Sequence, residues 1–225
     1  MFVGHYAVSL AAKSTSVALP LWVWFVAVQW LDIVFDVLVL AGVEKIRITE
    51  GFSETNDLDL YYMPFSHGLP GAVVLSLGLA MIVAVAFPAA RRPLAFGLVA
   101  LASFSHWLLD LPMHTPDMPL YDNTAKVGFG LWNHPEIGLP FELAVLALGA
   151  WLYVRATTVT DRGKALIWGF AALLAALQVL TFFVAGPTTP VSFAVTALVL
   201  YVVLAAAAAW VEKRAVADPS VTSPG

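Results

Sequence analysis

Apolar residues recur along the chain in six long blocks, and most polar side chains lie between the blocks or at their margins. The blocks run approximately over Pro20–Gly42, His67–Phe87, Leu94–Leu111, Leu139–Val154, Lys164–Ala185 and Val191–Val211. Most hold about 18 to 23 residues, the length of helix that crosses a ~30 Å hydrocarbon layer at 1.5 Å per residue. The Leu139 block is shorter and needs its flanks to complete a crossing. The pattern predicts an all-α, polytopic membrane helix bundle with about six transmembrane helices. Residues 1–12, M-F-V-G-H-Y-A-V-S-L-A-A, are too few to span and lack the basic leader of a cleaved signal peptide. They predict a short half-inserted or interfacial helix that rises from Lys13 and carries His5 about 12 Å inward. On this reading residues 1–214 form one transmembrane domain, and residues 215–225, rich in Pro, Ser, Val and Thr, form a disordered tail.

Composition supports the same class. The chain is 60% hydrophobic and 12% charged, with a mean hydropathy of +0.85, whereas a soluble domain carries roughly 25% charged residues. The distribution of Lys and Arg then suggests an orientation in the cell membrane. With both termini cytoplasmic, eight of the eleven basic residues face inward, and only Lys45, Arg47 and Lys126 face outward. The net charge of −4 comes mainly from the outer loops and implies no nucleic-acid partner. Membrane lipid is the expected partner, with a lipid-like substrate as a further expectation, while the oligomeric state leaves no mark. The absence of cysteine excludes disulfides and thiolate-ligated zinc.

Inner connections are short and outer ones long, so the segments 43–66 and 112–138 direct attention to the outer face. The polar residues in or beside the spans carry the candidate chemistry. His106, Asp110 and His114 form an H-x3-D-x3-H run, in which i, i+4 spacing puts side chains on one helix face. Pro112 interrupts that run, so the helix is expected to bend or stop there, leaving His114 a rim residue or bystander. Asp32 and Asp36 share a face of the first span by the same spacing, and His67 opens the second span after Ser66. His5, Asp32, Asp36, His67, His106 and Asp110 therefore belong to four segments that can converge between the bilayer centre and the outer interface. Imidazole nitrogen and carboxylate oxygen are ligands of zinc, manganese and iron, and a metal left with an open position activates water. His114 and His134, beside prolines in a loop, read as surface histidines, and Glu142 as an interfacial or supporting carboxylate.

The order of these motifs resembles the bacterial inner-membrane metal-dependent hydrolases of the LexA-regulated hydrolase-like family. Gly4-His5 at the start, paired Asp residues in the next segment, Ser66-His67 opening a span and His106-x3-Asp110 late in the following one carry the resemblance, over roughly residues 1–114. By this resemblance His5, Asp32 or Asp36, His67, His106 and Asp110 map to the metal site. The chain departs from the family pattern twice. Asp32-x3-Asp36 stands where the family has a tight Asp-x-Asp-His cluster, and Pro64-Phe65-Ser66-His67 stands where a His-Arg pair precedes Thr-His-Ser.

These observations together lead to an expected membrane hydrolase. In it His5, His67, His106 and Asp110 bind a divalent metal, zinc by preference, and Asp32, Asp36 or Asp110 serves as general base. The expected substrate is a lipid-like or membrane-proximal ester, amide or phosphoester. The alternatives are a proton- or cation-coupled transporter built on the same carboxylates, a haem held between His67 and His106, and a scaffold whose polar groups only lock helices together.

Overall fold

The computed structural model describes residues 1–15 and 17–215. Its helices are α1 (Gly4–Lys13), α2 (Leu21–Val28), α3 (Trp30–Leu40), α4 (Leu69–Ala86), α5 (Pro93–Met113), α6 (Pro135–Ala156), α7 (Asp161–Leu180) and α8 (Pro190–Ala215). The chain folds as an all-α bundle, as the apolar blocks predict. The helices α4 to α8 are each long and apolar enough to cross a membrane, and α2 with α3 makes a sixth crossing if the bent pair is one span. Val74, Met81, Val85 and Val202 lie exposed on the outside of the bundle. So broad an apolar exterior suits lipid rather than water.

Two local features correct the sequence reading, and a third sharpens it. The first span breaks at Gln29, where α2 and α3 meet at a 55° bend. The N-terminal segment is the short inward-running helix expected, packed into the core with Val3, His5, Tyr6 and Leu10 all buried. The outer loops also hold two antiparallel hairpins that the apolar pattern does not predict. These are β1 (Lys45–Ile48) with β2 (Leu58–Tyr62), and β3 (Met118–Tyr121) with β4 (Thr124–Val127). Asn123 and Lys126 of the second hairpin both donate to the Tyr61 carbonyl, at 3.1 and 2.8 Å, joining the hairpins into a cap over one end of the bundle. Ala215 is the last residue of α8, and the rest of the expected tail lies outside the described residues.

Close backbone approach sets how α1 sits. A Cβ on Gly149 of α6 would lie 2.4 Å from the Ala7 carbonyl oxygen, so only glycine lets α1 pack this tightly. Glu142, one side of the same seam, accepts from the Phe2 and Gly4 amides at 3.1 and 3.2 Å, satisfying donors that a helix N-terminus otherwise leaves free. At the other end of α1, Lys13 pairs with Glu212 of α8, and the second oxygen of Glu212 accepts from the Leu21 amide at 2.7 Å. That carboxylate supplies the N-terminal acceptor that Pro20 cannot offer α2.

The packing of α7 and α8 is uneven along their length. Gly163 at the start of α7 meets the Ala215 backbone so closely that a Cβ there would lie 2.2 Å from its oxygen. Burial on α7 ends at Leu174, and on α8 nothing between Val195 and Val203 is buried. The pair is pinned at one end and open at the other, beneath the hairpin cap.

Candidate metal centre

The centre starts from α5, whose buried His106 and Asp110 lie one turn apart, as the spacing predicts. The His106 Nδ1 is 2.7 Å from the Val28 carbonyl. A carbonyl only accepts, so Nδ1 carries a proton, and in the neutral ring Nε2 presents its lone pair. The acceptor exists because α2 ends at Val28, leaving that oxygen without the following turn of helix. The Nε2 points to Asp110 Oδ2 at 3.0 Å and Asp32 Oδ1 at 3.2 Å, yet makes no hydrogen bond with any described residue.

His67 is set by a second relay. Buried Glu44 accepts from the Phe65 and Ser66 amides at 2.8 and 2.9 Å and from the Ser66 hydroxyl at 2.6 Å. With its proton directed to Glu44, the Ser66 oxygen can only accept from His67 Nδ1, 2.8 Å away. His67 Nε2 is thereby freed and lies 3.4 Å from Asp32 Oδ1 and 3.8 Å from Asp110 Oδ2. The peptide is held too, since Trp107 Nε1 donates to the His67 carbonyl at 2.9 Å.

His114 is neither a rim residue nor a bystander. Pro112 falls in the last turn of α5, where the helix tolerates it, and the chain continues helical to Met113. His114 is buried, with Nδ1 2.9 Å from Asp117 Oδ1 and Nε2 3.7 Å from Asp110 Oδ2. The Thr115 hydroxyl holds the other Asp117 oxygen at 2.9 Å. Sequence reasoning passed over Glu44 entirely.

The remaining expected residues divide. His5 joins the group: its Nε2 is 3.1 Å from Asp110 Oδ1, and its ring stacks on His106 at 3.8 Å between centroids. The Met1 amine lies 2.6 Å from the same Asp110 oxygen. Asp32 joins it as well, with Oδ2 accepting from the Tyr201 hydroxyl at 2.9 Å. Asp36 does not: it is buried on α3, and neither oxygen has a hydrogen-bond partner among the described residues. His134 is exposed beside Glu136, a surface histidine as expected.

Three imidazole lone pairs thus face two carboxylate oxygens across distances of 3.0 to 3.8 Å. Acceptors opposed this closely repel unless a proton or a metal cation lies among them, and each Nδ1 partner is of the kind that orients a metal-ligating histidine. Two subsets, His5–His106–Asp110 and Asp32–His67–His106, have ligand atoms within 4.8 Å of one another. The buried His/Asp cluster could therefore hold a metal ion. It adjoins a cavity of about 330 Å³ bounded by α3, α6, α7, α8 and the hairpin cap, with Asp32, His67, Asp110 and His114 at its inner end. Asp32 is the member of the cluster most open to that space, its side chain 23% exposed.

Fold and centre together define an integral membrane helix bundle with a buried histidine–carboxylate cluster. No family model, curated protein or solved structure matches the chain.

Proposed function

We propose that the protein is an integral-membrane metal-dependent hydrolase acting on a lipid-like or membrane-proximal ester, amide or phosphoester. The observation that carries this reading is the convergence of His67 and His106 Nε2 on Asp110 Oδ2 and Asp32 Oδ1, with His114 Nε2 3.7 Å from Asp110 Oδ2 and each ring oriented by an Nδ1 hydrogen bond. The donor set is nitrogen and carboxylate oxygen without sulfur, which suits zinc with an open position. His67, His106, His114 and Asp110 would hold the ion. When bound, it would supply Lewis acidity and make a water acidic near neutral pH.

The chain's own residues account for the rest of the chemistry. Asp110 is shared between both sides of the cluster, and His5 stacks on His106 and fixes Asp110 Oδ1. Asp32 opens to the cavity, with Tyr201 holding one oxygen, so its other oxygen can take the proton of the attacking water. The motif order in residues 1–114 supports a bacterial inner-membrane setting, and the basic-residue count supports cytoplasmic termini.

Metal analysis of protein purified without chelators tests the reading, with His106→Asn as the informative variant. Asn retains a donor for the Val28 carbonyl but has nothing in place of Nε2. About one zinc per chain in wild type and none in the variant is the expected result; a metal-free wild type sinks the reading.

One observation favours a second reading. Asp36 is buried without a partner one turn from Asp32, as a proton carrier in a cation-coupled transporter would be. Flux into proteoliposomes that depends on a pH gradient and is abolished by Asp36→Asn would replace the hydrolase reading.

A further inference from the structure

The cavity above the cluster is unlike the cluster in chemistry. Its walls are mostly apolar, among them Phe35, Leu60, Met113, Leu139, Phe193 and Leu200, and its charged lining residues include Asp32, Asp110 and Glu142 but no Lys or Arg. The cavity reaches the place where α7 and α8 separate, with Gln178, Thr181 and Phe182 lining it on one side and Phe193, Thr196, Ala197 and Leu200 on the other. Phe183, Val195 and Val199 nearby in the chain are exposed, an apolar exterior that suits lipid.

Each property restricts the occupant. A cavity that reaches a seam with an apolar exterior suits a ligand drawn from within the bilayer. A volume of about 330 Å³, at the lower end of the ~300–1,000 Å³ typical of ligand sites, accommodates one hydrocarbon chain and not two. A phosphoester anion is normally held by Arg or Lys, or by clustered backbone amides; here it would meet three carboxylates and no Lys or Arg, beyond whatever one divalent ion and the Met1 amine, already paired with Asp110, neutralise. A neutral carbonyl has no such conflict.

We propose that the cleft between α7 and α8 takes a single-chain, uncharged carboxylic ester or amide from the bilayer, chain in the cleft and carbonyl at the Asp32–Asp110 end. This rests on the hydrolase reading for the reaction and not for the chain. In the reaction, a water oxygen bonds to the carbonyl carbon and the C–O or C–N bond breaks. The leaving alcohol or amine gains a proton from that water through Asp32, and the carboxylic acid remains with the chain.

Two measurements on the zinc-loaded protein in a non-ionic detergent test this. The first compares p-nitrophenyl acetate, butyrate and octanoate with bis-p-nitrophenyl phosphate, in wild type, Ala197→Trp and Val202→Trp. Ala197 lines the cleft, whereas Val202 is 70% exposed on the outside of α8. In wild type kcat/KM should rise with each methylene, by at most about fourfold, and the phosphodiester should be inert. Ala197→Trp should lower the octanoate-to-acetate ratio at least tenfold, and Val202→Trp should leave it unchanged. An unaltered ratio in Ala197→Trp, or a phosphodiester cleaved faster than octanoate, overturns the proposal while leaving a hydrolase in place. The second measurement is photolabelling with the N-methylamide of a diazirine-bearing palmitic acid, an uncharged probe whose labelling requires no turnover. Labelling of residues 178–200 that Ala197→Trp suppresses, in a protein that cleaves no ester, supports the acyl cleft and overturns the hydrolase. Absence of both labelling and cleavage overturns both.

Discussion

Replacing Ser66 with Ala isolates the relay that aims His67. The substitution removes the 2.6 Å bond to Glu44 and the 2.8 Å bond from His67 Nδ1. A bond to a charged acceptor contributes about 1.5–3 kcal/mol and a neutral one about 1 kcal/mol, so folding stability should fall by about 2–4 kcal/mol. The larger consequence is for the ring. Without the Ser66 oxygen nothing keeps the proton on Nδ1, and Nε2 no longer presents a fixed lone pair. Loss of such an outer partner typically lowers metal affinity 10–100-fold, about 1.4–2.8 kcal/mol. Competition for zinc against a chromophoric chelator in detergent measures this directly. Ser66→Thr keeps the hydroxyl and should restore most of the affinity. Ser76→Ala is the control: its hydroxyl bonds Ser103 at 3.0 Å across the α4–α5 seam, and its loss should cost only about 0.6 kcal/mol of stability with zinc affinity intact. The reasoning fails if Ser66→Ala binds zinc as tightly as wild type, or if Ser76→Ala weakens it equally.

Other expectations follow from packing. Gly149→Leu should lower thermal stability by about 3 kcal/mol or more, because its side chain must displace α1; Gly169→Ala, with open space where the Cβ would go, should be neutral or stabilising by up to about 1 kcal/mol. Glu212→Ala should cost about 1–3 kcal/mol in an unfolding titration, since the Leu21 amide and Lys13 lose their shared acceptor together. His134→Ala should leave metal content unchanged by elemental analysis, its ring being exposed and tied only to Glu136.

The long helices were legible because a membrane span is a one-dimensional signal, a run of apolar residues of fixed length. His106 and Asp110 were legible for a related reason, since helical spacing alone puts them together. What failed to show were features decided by tertiary contact. Nothing in L-W-V-W-F-V-A-V-Q-W-L-D marks Gln29 as a break, and neither Pro nor Gly occurs there. The hairpins are strands of four or five residues inside loops whose polarity hides their alternation. Glu44 lies 22 residues before Ser66, and beside Lys45 and Arg47 it reads as one more solvated charge. Pro112 gave a real signal that was weighted wrongly, because a proline in the final turn of a helix does not end it a residue earlier.

The bend at Gln29 also has a consequence for the bilayer. Eight residues of α2 and eleven of α3 reach about 12 and 16 Å if straight, and at 55° their ends stand about 25 Å apart. If the pair is one span, a hydrocarbon core of ~30 Å exceeds that reach by about 5 Å, and hydrophobic mismatch would draw the surrounding leaflet thinner beside α3. Lipid headgroups and water would then dip toward Asp32, where the proposed hydrolytic centre needs both. The proposed activity should accordingly depend on acyl-chain length in the host bilayer, quite apart from the chain on the proposed substrate.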